Sequence, residues 1–543
     1  ECAEFGRDVV SYDNKENAKN ISLGKIFHMH RDEENSPVEL DRNSFSSHVF
    51  ITGSTGAGKS NTVFKILNEA TKGGDVKLLV VEPAKGEYKD VFGGRDDVSV
   101  YGTNPKITEL LKINPFSFPE NILVSEHIDR LVEIFNVCWP MYAAMPAILK
   151  SAVIRAYESC GWDMNTSENV HKIFPNFLDV LREIRYVLDE SEYSADNKSD
   201  YTGALVERLK SLTNGINGRI FGGAEIPEQD LFDKNVIVDL SRVGSTETKS
   251  LIMGLLMVKL QEYRMSEGKP DNSALKHITV LEEAHNLLKR TSTEQASETA
   301  NLLGKAVELI ANSIAELRSF GEGFIIADQS PGLLDMSVIR NTNTKIIHRL
   351  PDFSDRELVG KAASLNDEQI IELAKLPLGV AAVYQNDWIN PVLCHIEKYT
   401  DKKEYKKPVG CNPVPAAKVS KDIIDIVIKP NEYIELSDKE LNEAAISGGT
   451  RFLFGEYVNI KDKTVEGKAK LMLSVVSDCG YRVSSQNTKS TESIERTLTK
   501  IIQQIAPDYK DTELQTIITL VLKGQAERNA DMVKAYVRYV EAQ

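Results

Sequence analysis

The stretch HVFITGSTGAGKSNTVFKIL, residues 48–67, sets a glycine-rich loop between an apolar β run and a segment with helical periodicity. Four residues, Gly53, Gly58, Lys59 and Ser60, fit the spacing G-x-x-x-x-G-K-[ST]. In such a loop, glycine allows the backbone N–H groups to curl around phosphate oxygens. Lys59 can reach the outer phosphates, the Ser60 hydroxyl can ligate Mg²⁺, and the helix N-terminus adds partial positive charge. The stretch therefore predicts a site for ATP with Mg²⁺.

The whole loop is predicted to contact the nucleotide. The predicted binding residues are Gly53, Ser54, Thr55, Gly56, Ala57, Gly58, Lys59, Ser60 and Asn61. The alternative, a glycine turn with only a structural purpose, is disfavoured by the context. Residues 49–51 supply a buried strand before the loop, and Val63, Phe64, Ile66 and Leu67 supply an apolar helix face after it.

Composition and net charge limit the classes of protein to which this chain can belong. The chain has 543 residues, enough for roughly three domains, with 41% hydrophobic and 27% charged residues, as in ordinary globular proteins. We expect no membrane segment, since apolar runs such as residues 251–260 are far shorter than the roughly 20 residues needed. The six cysteines are scattered, which favours a reducing cytoplasm. A net charge of −15 argues against coating nucleic acid with the outer surface, but a channel needs only a few basic residues.

The apolar runs predict an α/β fold, a doubly wound and mostly parallel sheet interrupted by a helical insertion and followed by a largely helical C-terminal region. The predicted core strands are residues 49–52, 78–81, 236–240, 277–281, 324–328, 345–350 and 379–384, and a strand pair is predicted around ISLGKIFHM, residues 21–29. We divide the chain into an N-terminal segment (1–45), the first part of the core (46–113), the insertion (114–235), the second part of the core (236–400) and the C-terminal region (401–543).

Two further strand ends carry polar side chains that suit ATP hydrolysis. Glu282 and Glu283 follow the run HITVL, where the first can hold Mg²⁺ through water and the second can orient or deprotonate the attacking water. Gln329 follows FIIAD, and its amide can bond both the γ-phosphate and that water. A pair of surface carboxylates and an idle loop glutamine are the alternatives. The order favours a site, because the ends of parallel strands converge on one edge of the sheet.

Four motifs together, HVFITGSTGAGKSN, VVEPAKGEY, VLEEAHNLL and LRSFGEGFIIADQSP, resemble the HerA family of hexameric ATPases, relatives of the FtsK translocases. The resemblance extends from about Asn20 to about Glu397. It implies a RecA-like core and ATP-driven movement of double-stranded DNA through a homo-hexameric ring, beside a nuclease or another effector. The segment EPAKGEY resembles the bacterial branch whose members accompany nuclease-like or sirtuin-like partners in anti-phage defence.

The resemblance also implies roles for single residues. Lys59 and Ser60 match the family's phosphate and Mg²⁺ positions, Glu283 its catalytic acid and Gln329 its sensor. Glu82 and Glu282 stand where aspartate is commoner; the longer side chain keeps the charge, and both are assigned to the metal. The small N-terminal barrel usual in the family is not evident, and residues 1–45 could be its remnant.

Ring ATPases of this type complete each site with an arginine from the neighbouring subunit, which offsets charge on the γ-phosphoryl group. Arg318 in ELRSFGEG is the first candidate and Arg340 in VIRNTNT the second, with an ordinary surface arginine as the alternative for each. The leading hypothesis is a ring ATPase that translocates double-stranded DNA. A competing one is an ATP-dependent scaffold that regulates an effector without translocation. A small-molecule kinase fits the phosphate loop but not the chain length or Gln329. A conjugation coupling ATPase is also disfavoured, because such proteins usually carry a membrane anchor and we expect no membrane segment here.

Overall fold

A computed structural model describes residues 3–7, 20–139, 141–268, 274–290, 298–408, 413–460, 463–482 and 491–542. Within these residues twelve strands form one sheet. Strands β1 to β12 span Asn20–His28, Arg31–Asp41, Val49–Thr52, Lys77–Glu82, Val98–Gly102, Glu109–Leu110, Asn235–Asp239, His277–Glu282, Glu322–Asp328, Thr344–Ile347, Val380–Gln385 and Val392–Ile396.

Helices cover both faces of this sheet and build the rest of the chain. Helices α1 to α21 span Lys59–Thr71, Tyr88–Phe92, Val124–Cys138, Met145–Ser159, Phe177–Glu190, Ala195–Tyr201, Glu207–Thr213, Gly215–Ile220, Glu228–Phe232, Thr246–Glu267, Glu298–Leu317, Met336–Arg340, Phe353–Ala362, Asp367–Glu372, Ala416–Ile428, Asp438–Glu443, Gly448–Gly455, Val465–Asp478, Thr491–Ile505, Asp511–Arg528 and Ala530–Ala542. Short 3₁₀ and π turns join several of them.

The sheet is parallel through its centre and antiparallel at one side. Its strand order is β2-β1-β12-β11-β10-β3-β9-β8-β4-β7-β5-β6. The strands from β10 to β6 run parallel to their neighbours, whereas β11, β12, β1 and β2 pair antiparallel. The central strands β3, β7 and β9 are buried along their whole length, as expected for apolar runs covered on both faces.

Two apolar clusters lie on the two faces of the sheet. One contains Phe64 and Ile66 of α1 together with residues of β1 and β2. The other contains α3, α4, α5 and α10, so the helical insertion packs on the sheet as part of the core. A third cluster lies within the C-terminal helices α15 to α21. The Asp179 carboxylate at the start of α5 accepts the N–H groups of Gly448 and Gly449 (2.7 and 2.9 Å), which fastens the C-terminal region to the insertion.

The predicted fold class is confirmed, and each of the seven predicted core strands is present with an end shifted by a few residues at most. Three strands were not predicted, β5, β6 and β12. The N-terminal pair β1 and β2 joins the main sheet through β12, with Gly24 opposite Ile396. Residues 1–2 and 8–19 of the predicted N-terminal segment lie outside the described residues.

Candidate nucleotide site

The glycine-rich loop connects β3 to α1, which begins at Lys59. Two of its glycines are required by a histidine beneath the loop. A Cβ on Gly53 would lie 2.5 Å from the Cβ of His348, and Gly58 has a φ of +122° with the His348 ring 3.1 Å from where its Cβ would be. His348 is fully buried, its Nε2 lies 2.8 Å from the Thr62 hydroxyl, and burial lowers its pKa to about 4. A neutral imidazole therefore supports the loop without competing with Lys59.

Lys59 reaches back across the loop in this structure. Its Nζ donates to the carbonyl oxygen of Gly53 at 2.6 Å and to that of Ser54 at 3.4 Å. Burial lowers the pKa of Lys59, while the charges of Glu282 and Glu283 raise it. The ammonium group thus lies in the field of both predicted acidic residues. Ser60 comes next in the first turn of α1, half-buried.

The strand registers explain why these groups converge. Thr52 at the end of β3 lies opposite Asp328 at the end of β9, and Glu282 at the end of β8 lies opposite Ala327. Three strands therefore end at the same edge of the sheet, and the residues directly after each end are neighbours. The side chains confirm this proximity: the Thr55 hydroxyl of the loop donates to Gln329 Oε1 at 2.8 Å.

Glu282 is held by a tyrosine from the helix that follows β4. The Tyr88 hydroxyl, at the start of α2, donates to Glu282 Oε1 at 2.5 Å. Burial raises the pKa of Glu282, whereas the Tyr88 hydrogen bond and the Lys59 charge lower it. One oxygen is thereby fixed by a neutral donor, while Oε2 has no hydrogen-bond partner that the described residues show.

Glu283 has an unusual backbone conformation, with φ 47° and ψ 49° in the left-handed region. Burial and the charge of Asp328 raise the pKa of Glu283, while His285, Lys59 and a hydrogen bond from Gln329 lower it. The His285 Nδ1 lies 2.8 Å from the buried Asp328 carboxylate and 3.6 Å from Glu283. Donor atoms of Glu283, His285 and Asp328 all lie within 4.8 Å of one another.

Two predicted residues are engaged elsewhere. The buried Glu82 carboxylate accepts the N–H groups of Glu87 and Tyr88 (2.7 and 3.2 Å), and burial raises its pKa to about 8. Its predicted role as a metal ligand gains no support from this arrangement. The Asn61 amide bonds the backbone of Glu397 and Tyr399 (3.1 and 2.8 Å), which ties α1 to the segment after β12. Its contact with nucleotide stays a prediction.

The two candidate arginines lie at the opposite edge of the sheet. Arg318 follows α11 just before β9 begins, and Arg340 ends α12 just before β10 begins. Both side chains are exposed, and within the described residues neither makes an ion pair or a side-chain hydrogen bond. Neither can therefore serve the nucleotide site of its own chain, which lies at the far ends of these strands.

Comparison with known proteins agrees with this geometry. Residues 21–260 match the family described as "Helicase HerA, central domain". The chain is 23% identical over 368 residues to the DNA double-strand break repair helicase HerA of Sulfurisphaera tokodaii, covering 67% of this chain and 68% of that protein. The HerA protein of Saccharolobus solfataricus is 22% identical, with 68% of each chain covered. The chain is thus similar to the HerA-type ATPases, and it is an ATP hydrolase.

A solved structure shares the fold of this chain. VirB4 of Thermoanaerobacter pseudethanolicus superposes with a TM-score of 0.53 at 17% identity, over 70% of this chain and 96% of that one. At this identity the likeness concerns the fold alone. Among the described residues, no helix combines the length and the apolar character that crossing a membrane requires.

Sequence reasoning missed several side chains of the candidate nucleotide site. They are Tyr88, His285, Asp328 and His348. Three of them lie inside the motifs that carried the resemblance, EPAKGEY, LEEAH and FIIAD, and His348 lies in KIIHRL. For His285, Asp328 and His348 the available signal was a titratable side chain at or shortly after the end of an apolar strand, the same signal that identified Glu283. Tyr88 lies six residues after β4 and gave no such signal.

The residues present fit a nucleotide with Mg²⁺. The Gly53 and Gly58 cradle has no room for side chains, Lys59 supplies the only predicted loop cation, and the carboxylate of Glu282 is a hard oxygen ligand of the kind Mg²⁺ prefers. Ser60 and Glu282 would hold the metal, and Lys59 the outer phosphates. Bound Mg²⁺ would neutralise charge on the phosphate oxygens.

Proposed function

We propose that this HerA-type ATPase forms a homo-hexameric ring that uses ATP and Mg²⁺ to translocate double-stranded DNA for a nuclease-like or sirtuin-like effector in anti-phage defence. Three observations support the DNA substrate and the ring: the match to the HerA central domain, the DNA repair helicases among the relatives, and the position of both candidate arginines at the sheet edge opposite the nucleotide site. The effector and the defence role rest on the EPAKGEY motif alone.

The observation that carries the proposal is the separation of the candidate arginines from the nucleotide site. Lys59, Glu283 and Gln329 lie at the carboxyl ends of β3, β8 and β9, whereas Arg318 and Arg340 are exposed at the amino ends. Charge that develops on a transferring phosphoryl group needs a cation beyond the loop lysine for fast hydrolysis. A neighbouring subunit that turns its amino edge toward this site would supply that cation.

Within one site the side chains divide the chemistry. Lys59 binds and orients the outer phosphates. Glu283 accepts a proton from the attacking water, and its pKa, raised by burial and by Asp328, makes it a stronger base than an ordinary carboxylate. Gln329 contacts both Glu283 and the loop residue Thr55, so its amide is positioned to sense whether phosphate occupies the loop. Tyr88 orients Glu282 for the metal.

The test is ATP hydrolysis by the purified chain with and without linear duplex DNA, together with native mass measurement of the assembly. We expect six-subunit rings, hydrolysis that rises several-fold with duplex DNA, and displacement of a protein roadblock from the duplex. Hydrolysis by rings that neither respond to duplex DNA nor displace the roadblock would contradict translocation.

That second outcome would favour the scaffold, in which nucleotide binding assembles a ring that restrains an effector. The net charge of −15 gives this alternative some weight, because an acidic surface repels nucleic acid. One further measurement, on the variant Glu283→Gln, distinguishes a scaffold from a translocase. A scaffold should keep its effector assembled in Glu283→Gln, where nucleotide stays bound, whereas a translocase should lose DNA movement in that variant.

A further inference from the structure

A groove of about 1040 Å³ lies between the helical insertion and the C-terminal region, away from the nucleotide site. One wall includes Phe174 and Gly223 of the insertion, and the other includes Tyr433, Asn442 and Arg451 of the C-terminal region. Its volume is at the upper end of the range for small-molecule sites. Nothing in the proposed function uses this groove.

Arg451 is the unusual side chain in the groove. It is only 8% exposed, and its guanidinium donates to two neutral acceptors, Asn442 Oδ1 at 3.3 Å and the Phe174 carbonyl at 3.1 Å. Its Nε has no hydrogen-bond partner among the described residues. Gly223 lies against the guanidinium so closely that a Cβ there would be 2.6 Å from Cζ. Within the described part of the chain this buried cation makes no ion pair.

The carboxylates nearest to Arg451 are committed to other groups. Asp179 accepts the N–H groups at the start of α17, Asp478 pairs with Arg182 at 2.7 Å, and Glu225 pairs with Lys259 at 3.2 Å. A buried charge without a hydrogen-bonded counter-ion is costly, and native structures normally pair it or bind an ion. The groove therefore contains a cationic position whose anion is not supplied by the neighbouring side chains.

We propose that the groove binds a phosphate-bearing small molecule whose phosphate oxygens pair with Arg451. Guanidinium groups recognise phosphate through paired N–H donors, and the Arg451 guanidinium at the groove wall is held only by two neutral acceptors, which a phosphate oxygen can replace. The lining contains four cationic side chains (Lys172, Lys439, Lys463, Arg451) and four anionic ones (Glu225, Glu432, Asp438, Glu443). This balance suits a ligand with one localised anionic group and disfavours a polyanion such as DNA.

The aromatic wall indicates the rest of the ligand. Tyr433 is 90% exposed at the groove, and Phe174, Phe454 and Tyr457 also line it. Planar rings of this kind stack on flat ligand groups such as a nucleobase. The volume and the wall together favour a molecule of nucleotide size over free phosphate, and the two sources of phosphate can be separated experimentally.

The experiment measures binding of inorganic phosphate and of adenosine monophosphate to the full chain by calorimetry, at constant ionic strength set with chloride. Lys59→Ala serves as the background, because it weakens anion binding in the glycine-rich loop. We expect binding to persist in Lys59→Ala and to weaken by roughly tenfold or more when Arg451→Gln is added, in line with loss of a charged hydrogen bond. Tighter binding of the nucleotide than of phosphate would assign the aromatic wall to the base.

Asn442→Asp is the second variant, and it does not depend on removing the arginine. A carboxylate at this position supplies the missing counter-ion 3.3 Å from Arg451 Nη1. We expect a higher midpoint of thermal unfolding and weaker binding of both probes. Asn459→Asp is the matched control, since Asn459 lines the same groove, is exposed and is not a partner of Arg451.

Three results would overturn the proposal. The first is no binding of either probe in the Lys59→Ala background. The second is binding that Arg451→Gln leaves unchanged. The third is wild-type affinity in Asn442→Asp together with a folded protein. None of these results bears on translocation, because ATP hydrolysis and DNA movement depend on the other site.

Discussion

A buried carboxylate at the amino edge of the parallel sheet, Glu322, differs in its ion pairing from two partly buried ones at the carboxyl edge, Glu282 and Glu283. At the amino edge, Glu322 of β9 lies between Arg264 (2.6 Å) and His277 (2.8 Å), and although burial opposes it, these partners hold the pKa of Glu322 below its ordinary value. At the carboxyl edge, burial raises the pKa of Glu282 and Glu283, and no ion pair to lysine or arginine compensates them among the described residues. A carboxylate whose charge is paired with cationic side chains stabilises the fold. A carboxylate without such a pair is suited to bind a metal ion or to accept a proton.

The largest effect should come from Lys59→Ala at the carboxyl edge. The variant removes the cation that binds the outer phosphates, so ATP hydrolysis should be abolished while the fold remains. The measurement is steady-state phosphate release together with a circular dichroism spectrum. Lys65→Ala on the same helix, which breaks a surface pair with Glu397 (2.5 Å), is the matched control and should hydrolyse ATP normally. Turnover near wild type in folded Lys59→Ala would reject the site.

Glu283→Gln keeps the shape of the side chain and removes the base. ATP should still bind, and hydrolysis should fall by about a hundredfold or more, within the range for loss of a general base. Single-turnover hydrolysis and nucleotide binding separate the two steps. If Glu282→Gln gave this trapped state and Glu283→Gln did not, the roles of the two carboxylates would be exchanged.

The parallel part of the fold could be predicted because long apolar runs in a fixed order need two covered faces. The same order predicts that Glu283 and Gln329 lie near the loop, since parallel strand ends share an edge. The antiparallel direction of β11 could not be predicted, because an apolar run such as GVAAVY is equally compatible with parallel and antiparallel pairing. The short strand β5 contains polar residues and is only partly buried, so it gave no comparable signal.

Side-chain contacts between strands could not be predicted from the sequence either, because they depend on which strands are neighbours in the sheet. The hydrogen bond from Tyr88 to Glu282 joins residues 194 positions apart, and it exists only because β4 and β8 are neighbours in the sheet. The same holds for Glu82, whose carboxylate caps the turn after its own strand. A carboxylate at a strand end could be recognised from sequence, but which way it turns depends on backbone N–H groups that only the folded loop presents.

Arg318→Ala tests the claim that the amino edge serves a neighbouring subunit. The variant should bind ATP and hydrolyse it at least about tenfold more slowly, because the cation acts on transition-state charge and not on ground-state binding. Mixed with Lys59→Ala subunits, it should regain part of the activity. Some composite sites then combine an intact loop with an intact arginine.

This rescue requires subunit exchange, which mass measurement of mixed rings must demonstrate first, and it should vary with the mixing ratio. Arg340→Ala, treated in the same way, is the comparison variant on the same edge. The absence of recovery in rings proven to be mixed would count against Arg318 acting in trans. Recovery with Arg340→Ala alone would transfer the role to that residue.

Tyr88→Phe should have a smaller effect at the carboxyl edge. It removes one hydrogen bond to Glu282 and no charge, so the carboxylate keeps its position in the strand but loses its orientation. We expect the Mg²⁺ concentration for half-maximal hydrolysis to rise by several-fold, with a smaller change in the maximal rate. Tyr405→Phe, outside this site, is the matched control. An unchanged Mg²⁺ requirement would mean that Tyr88 supports only packing.

The smallest effect at neutral pH concerns one buried histidine from each edge. Burial lowers the pKa of both His48 and His348 to about 4. His48 accepts the Phe324 N–H at 3.2 Å through Nδ1, and His348 lies beside the Thr62 hydroxyl. Unfolded imidazoles take up protons below pH 6.5, whereas the folded ones stay neutral down to about pH 4. Their stability contribution is therefore complete above pH 6.5 and is lost as the pH falls toward 4.

Across that window each histidine should lower the free energy of unfolding by at most about 3.4 kcal/mol, from a difference of about 2.5 pKa units. His48→Asn and His348→Gln retain a polar atom near the bonded nitrogen but do not titrate there, so the midpoint of thermal unfolding should fall less steeply between about pH 6.5 and 4 in either variant. Only His348→Gln should also alter nucleotide affinity at neutral pH, because only His348 supports Gly53 and Gly58. His395→Gln, at a half-buried histidine beside Asp32, serves as the control for both edges. If His48→Asn changed nucleotide affinity as much as His348→Gln, the division between a structural amino edge and a functional carboxyl edge would not hold within a single subunit.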